Sequence, residues 1–115
     1  DLRFPVWSRN VENEYDVALY VASWPQVRSN VWRSLLVARA IENACYVCGV
    51  NRVGEDGMKL SYIGDTMAID FKGLILDKVP DGEQGHVVVE FDGEKLQSFR
   101  TKFPTWRDAD CFTIQ

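Results

Sequence analysis

The side chains of this chain with chemistry to offer are three cysteines, one histidine and a few closely spaced carboxylates. Cys45 and Cys48 form a C-x-x-C. A redox pair of this kind sits at a helix N-terminus, where the macrodipole favours the thiolate. Here the pair follows a helix and enters a strand. A zinc site would need a second ligand pair, and His86 and Cys111 give no such spacing. The two thiols read as small apolar side chains in a core strand, with a redox protein built on them as an outside alternative. A Ser/His/Asp device would have to use His86, which stands at the mouth of a valine-rich segment beside a glycine turn, a solvated position. The pairs Glu12 with Glu14 and Asp108 with Asp110 lie in polar loops and face water. Gly54 and Gly57 bracket a turn and match no phosphate-binding fingerprint. Lys59 and Lys72 sit beside turns, where lysines are solvated. On these residues alone the segment is not a self-sufficient enzyme.

The elements that would position a site alternate between strand and helix patterns. Tyr15 to Ala22 is a β-branched and aromatic run of the kind that makes a buried strand, broken by Ser23-Trp24-Pro25. A helix is expected from Ser29, whose hydroxyl can cap free N–H groups. In it Val31, Leu35 and Ala38 share one face and Trp32, Leu36 and Ala40 form the adjacent stripe. Arg33 and Arg39 fall outside those stripes. Asn43 suits the left-handed residue that ends a helix, and a strand from Tyr46 to Val53 follows. Thr66 to Phe71 alternates with period two, Lys72-Gly73 reverses the chain into Leu74-Ile75-Leu76, and a hairpin is expected. Pro80-Asp81-Gly82 is a turn. Val87 to Val89 with Phe91 reads as a central strand. Asp92 is placed to cap a last helix through Phe103, which Pro104 ends. The tail keeps Trp106, Phe112 and Ile114 and is expected to pack. The fold class is therefore α/β, a mixed sheet with flanking helices, and with so little helical cover it looks like part of a larger layered domain.

Composition limits the partners. With 115 residues, 46% hydrophobic and 26% charged, the chain has one domain's worth of ordinary globular material. A net charge of −4 gives no phosphate-binding surface, so no nucleic acid is expected. No window approaches the roughly 20 apolar residues of a membrane span. An odd number of cysteines without secreted disulfide spacing favours a reducing cytosol.

Several ordered motifs carry a family resemblance. Asp1-Leu2-Arg3-Phe4-Pro5-Val6-Trp7 resembles the segment after the nucleophile in nitrilase-superfamily amidases, where a Cys-Tyr pair precedes Asp-Leu-Arg-Phe-Pro. Ala22-Ser23-Trp24-Pro25 resembles the pocket loop after the next strand. Trp32, Leu36, Ala38-Arg39-Ala40, Glu42-Asn43, Tyr46-Val47 and Asn51-Arg52-Val53-Gly54 match in order and spacing. Tyr62-Ile63-Gly64-Asp65-Thr66, Ile69-Asp70, Gly73 and Lys102 to Arg107 continue the match across essentially the whole chain. One departure is Gly64-Asp65-Thr66, where many members have Gly-His-Ser.

The resemblance, which is nearest to the omega-amidase branch of these carbon–nitrogen hydrolases, implies the C-terminal portion of a single domain over residues 1–115. The fold implied is part of an α-β-β-α sandwich, incomplete in this chain. It implies hydrolysis of a small carboxylate-bearing amide through a cysteine thioester, with no metal or organic cofactor. The catalytic Glu, Lys and Cys are expected upstream of Asp1, so no catalytic residue is expected in this chain, and the segment alone should be inactive. Arg3, by the same resemblance, either pairs with a buried carboxylate or receives the substrate carboxylate. Trp24 and Pro25 are candidates for the pocket wall, with a core role for Trp24 as the alternative. Glu42 is expected either to accept from backbone N–H groups or to pair with Arg39, and Asn51 to be either a satisfied core amide or a pocket polar group. A cytoplasmic homodimer is implied, with Phe4 to Val11 and Ser29 to Ile41 facing the sister subunit. The rival reading is a non-catalytic α/β interaction module that keeps the fold and binds a protein.

Overall fold

A computed structural model describes all 115 residues. Strand β1 (Val17–Ala22) runs into helix α1 (Ser29–Asn43) and then β2 (Tyr46–Asn51), which lies parallel to β1 from Val17 opposite Tyr46 to Ala22 opposite Asn51. This is the helical crossover that parallel neighbours require. Two short strands, β3 (Val53–Glu55) and β4 (Ser61–Ile63), form a separate hairpin. Strand β5 (Met67–Ile69) pairs antiparallel with β2, and β6 (Ile75–Lys78) pairs antiparallel with β5, completing a mixed sheet in the order β1-β2-β5-β6. Helix α2 (Gly93–Lys102) closes the chain's regular structure. No helix is long and apolar enough to cross a membrane.

One face of the sheet is covered by α1. Trp32, Leu36 and Ala40 of the helix are fully buried with Tyr20, Val47, Met67 and Ile69 of the strands. The helix can approach so closely because β2 carries Gly49 at the contact. A Cβ there would overlap the Leu36 side chain and lie 2.8 Å from Cζ2 of Trp32. On the other face α2 covers only one end, where Leu96 is buried with Tyr46 and Phe71, and Phe91 stacks on Tyr46 at 4.4 Å between ring centroids. Beyond that end Leu19 and Val21, which share Val17's parity on β1, are 70% and 82% exposed.

The sequence reading and the structure part at several places. The valines at 87–89 with Phe91 form no strand, and Val88 is 87% exposed. The centre of the sheet is instead β2, paired on one side with β1 and on the other with β5, and β propensity by itself does not place a segment in a ladder. Ser29 is the first helical residue rather than the cap, because the turn Gln26–Arg28 winds directly into α1. The left-handed residue that ends α1 is Ala44 at φ 45°, not Asn43. Asn43 stays helical and uses Oδ1 to accept from the Asn10 N–H at 3.0 Å and from Arg9 Nη1 at 3.1 Å.

Arg39 also lies inside rather than outside: it is 4% exposed, donates from Nε and Nη2 to the Leu2 carbonyl at 3.1 and 2.6 Å, and pairs with Glu42 as expected. It lies on the buried face of α1 with Trp32 and Leu36, and a guanidinium that reaches a chain carbonyl and a carboxylate can be buried with its donors satisfied. The hairpin of β5 and β6 forms as expected, its turn held by Asp70 Oδ1 accepting from the N–H groups of Lys72 and Leu74. Gly73 turns there at φ 86° with no room beside Ile41 of α1. Asp92 caps α2 as expected, accepting from the Lys95 N–H at 3.0 Å. In the tail Trp106 is half-buried, whereas Phe112 and Ile114 remain more than half exposed.

Cys45 is completely buried in the α1-side core, whereas Cys48 has the opposite strand parity and projects from the other face. Burial pushes the Cys45 thiol up to about 12 and raises Cys48 as well. Two protonated thiols on opposite faces are not a redox couple. The sign for stability follows: the buried Cys45 thiol favours folding fully below its ordinary value of 9.0, and that contribution is lost as pH rises toward 12. In the native protein at pH 8, iodoacetamide should label the exposed Cys111 and leave Cys45 unmodified until denaturant is added, as read by peptide mass mapping. Gly49→Ala should cost about 1–3 kcal/mol of unfolding free energy in a urea titration, because the added methyl overpacks the α1–β2 contact.

Candidate functional site

Strand β1 pairs on one side only, with β2. Along its free edge runs a cleft of about 750 Å³, lined chiefly by apolar and aromatic residues that include Leu2, Trp7, Tyr20, Trp24 and Trp32. The sequence places them there simply. Tyr20 alternates inward on β1, Trp24 follows the strand's end, Trp32 lies one turn into α1, and the Asp1 to Phe4 turn folds back because Arg39 holds the Leu2 carbonyl.

The two indoles form the wall's core. Their ring centroids are 5.6 Å apart with planes inclined at 42°. A buried indole N–H needs a partner, and each has one. Trp24 Nε1 donates to the Arg28 carbonyl at 2.8 Å, and Trp32 Nε1 donates to the Asp65 carbonyl at 2.9 Å. The Trp24 backbone is gripped by Asn51, whose Oδ1 accepts from its N–H at 2.8 Å and whose Nδ2 donates to its C=O at 2.9 Å. Asn51 is thus a satisfied amide whose satisfaction consists of holding the pocket loop.

Arg3 pairs with no carboxylate. Its guanidinium carbon lies 5.1 Å from the Trp24 ring centroid, a cation–π arrangement, and the side chain is otherwise exposed. Arg3 and Trp24 are therefore brought together. Pro25 is not part of this cleft: it is buried and borders a shallower hollow with Val27 and Leu60 on the side of β4. The phenols of Tyr15 and Tyr20 point to Ser8, the first donating to its carbonyl and the second to its hydroxyl at 3.1 Å. Burial, the largest cause, raises the Tyr15 phenol, so it acts as a donor.

The other sequence candidates lie apart. His86, Lys59, Lys72 and the carboxylates of Glu12, Glu14, Asp108 and Asp110 are all exposed. No three His, Cys, Asp or Glu side chains gather where they could share a metal ion. The cleft itself collects indoles and phenols, and the Arg3 guanidinium lies beside it over the Trp24 ring, a set suited to holding an organic anion by its carbon chain and its charge. The sequence reading missed three residues. Trp32 read only as helix stripe, though its indole N–H signalled a need for a polar partner. Asp65 and Thr66 read only as a departure from a motif. Asp65 is 1% exposed, accepts from Arg33 Nε, and accepts from Lys78 Nζ at 2.8 Å. The hydrogen bond to Asp65 is the main reason the Lys78 ammonium lies above its ordinary value, with burial opposing and Asp81 adding.

The carbon-nitrogen hydrolase family model matches residues 1–101. Omega-amidase YafV of Escherichia coli strain K12 is 50% identical over 114 residues, which is 99% of this chain and 44% of that protein. The 2-oxoglutaramate amidase of Bacillus subtilis strain 168 is 35% identical over 109 residues, or 94% of this chain and 41% of its own. The crystal structure of a CN-hydrolase superfamily protein from Xanthomonas campestris, with an arsenic adduct in its active site, superposes on all of this chain with a TM-score of 0.95 at 40% identity and is itself covered to 46%. The chain thus spans less than half the length of these relatives. By its family match, by these identities and by the shared fold, it belongs to the carbon–nitrogen hydrolases of the nitrilase superfamily, on their omega-amidase branch.

Proposed function

We propose that residues 1–115 are the C-terminal portion of one carbon–nitrogen hydrolase domain that hydrolyses a small amide bearing a carboxylate, and that they supply its substrate-binding wall. The observation that carries this reading is the unpaired Arg3 guanidinium lying over Trp24 beside the apolar cleft at the free edge of β1. An arginine without a carboxylate of its own, placed over an indole, presents its donors to an anion as a fork. The names of the relatives, omega-amidase and 2-oxoglutaramate amidase, fit such a substrate.

In this reading the reacting groups lie upstream of Asp1. A cysteine thiolate attacks the amide carbon and the C–N bond breaks to give a thioester and ammonia. A glutamate carries the proton to the leaving nitrogen and then takes one from the water that releases the acid. A lysine and a backbone N–H next to the nucleophile hold the oxyanion. Arg3 and the Trp24–Trp32 wall position the distant carboxylate and so set the reach of the amide carbon. The apolar face carrying Leu19 and Val21 packs, in the same reading, on the other half of the sandwich.

The purified 115-residue chain should show no amidase activity, whereas the longer polypeptide should release ammonia from 2-oxoglutaramate. Turnover by the short chain would overturn the assignment of chemistry upstream, and inactivity of the long one would favour the non-catalytic module. In the longer polypeptide Arg3→Lys should raise KM for 2-oxoglutaramate by about tenfold or more, the cost of a charge-assisted fork, while leaving that for neutral pentanamide nearly unchanged. Equal effects on the two substrates would remove Arg3 from substrate binding.

A further inference from the structure

The sheet's backbone ladder between β1 and β2 stops at Ala22 and Asn51, and side chains continue it. Thr66 Oγ1 accepts from the Asn51 N–H at 3.0 Å and donates to the Asn51 carbonyl at 3.2 Å. Asn51 repeats the pattern one strand further, accepting from the Trp24 N–H and donating to the Trp24 C=O. Each link both gives and takes a hydrogen bond, so the two residues behave as extra rungs that fix Trp24 relative to β5.

Asp65, the residue before, fixes the other indole. Its carbonyl accepts from Trp32 Nε1, and its carboxylate accepts from the Nε of Arg33, the next residue of α1. Asp65 therefore grips two successive helical positions and leaves the Trp32 ring no free rotation. It does so at φ 59°, a left-handed conformation that aspartate adopts more readily than most residues. Lys78 on β6 completes the grip from the far side, and Asp81 accepts from both cations, from Arg33 Nη2 at 3.3 Å and from Lys78 Nζ at 3.0 Å. Two carboxylates facing two cations leave the buried Asp65 charge compensated.

We propose that Asp65 and Thr66 are positioning residues that set the Trp24–Trp32 pair, and through it the binding of the substrate carboxylate. The kinetic half of this rests on the reading of the cleft as the substrate pocket; the positional half rests on the hydrogen bonds alone. Neither residue touches the cleft's contents. They act on it from behind, one through a side-chain rung and one through an indole N–H.

The test uses the longer polypeptide. Thr66→Val removes both of Thr66's hydrogen bonds to Asn51 at nearly constant shape, Thr66→Ser keeps them, and Asp65→Ala removes the carboxylate that anchors the Asp65 carbonyl against Arg33 and Lys78 while leaving that carbonyl in place. Thr66→Val and Asp65→Ala should weaken the near-ultraviolet circular dichroism of the indole pair, and the change should vanish in a Trp24→Phe background. They should raise KM for 2-oxoglutaramate about fivefold, the scale of one or two hydrogen bonds, and more than they lower kcat. Thr66→Ser should restore both signals. Should Thr66→Val fail to fold, Asn51→Asp carries the same test, since it keeps the acceptor for the Trp24 N–H and loses the donor to its carbonyl. An unchanged indole signal in these variants overturns the proposal, whatever happens to KM. A changed indole signal with unchanged KM upholds the positioning of the pair and overturns the cleft as the substrate pocket.

Discussion

The contact between α1 and β2 at Gly49 is the constraint on which the rest of the molecule depends. Without a side chain at that position the helix sits directly on the strand, and Trp32 and Leu36 fill the space a Cβ would need. That closeness sets the height of Trp32 above the sheet. Trp24 then packs against Trp32 at a tilt, and the Arg3 guanidinium lies over Trp24. A column of four residues thus rises from one missing methyl group, and the cleft at the edge of β1 inherits its shape from it.

Two buried arginines do for the chain's turns what the glycine does for its layers. Arg39 draws in the first residues by the Leu2 carbonyl, and Arg100 joins the Ala44 carbonyl, the Tyr15 carbonyl and the Asp16 carboxylate. Each spends its fixed fork of donors on backbone carbonyls that no strand or helix would satisfy. The polar atoms buried in this fold are therefore mostly structural, whereas the Arg3 guanidinium beside the cleft pairs with neither a carbonyl nor a carboxylate.

Much of the fold was legible because its signals are local. The period-two run of β1, the stripe of Trp32, Leu36 and Ala40, the Asp92 cap and the turn at Gly73 each state their own conformation. The valines at 87–89 misled because β propensity is a local signal, whereas joining a ladder is decided by tertiary packing. The pairing of Arg39 with Glu42 was legible from their spacing, whereas its hold on the Leu2 carbonyl, 37 positions away, was not. In the site, Arg3 and Trp24 stood out through the resemblance of their flanking motifs, and the structure brings the Arg3 guanidinium over the Trp24 ring, with Pro25 buried beside a separate hollow. The roles of Asn51, Asp65 and Thr66 were hidden because each bonds to a residue at least 15 positions away.

The left-handed residue at the end of α1 shows how far such distances matter. A helix stop is ordinarily written in its own few residues, by a glycine or asparagine that takes positive φ cheaply. Here alanine takes it, and the carbonyl of that alanine is held by Arg100, 56 positions further along. The exit of the first helix is thus finished only when the last helix has docked. A turn that looks local in the chain is a long-range contact in its energetics, and it ties the first helix to the last.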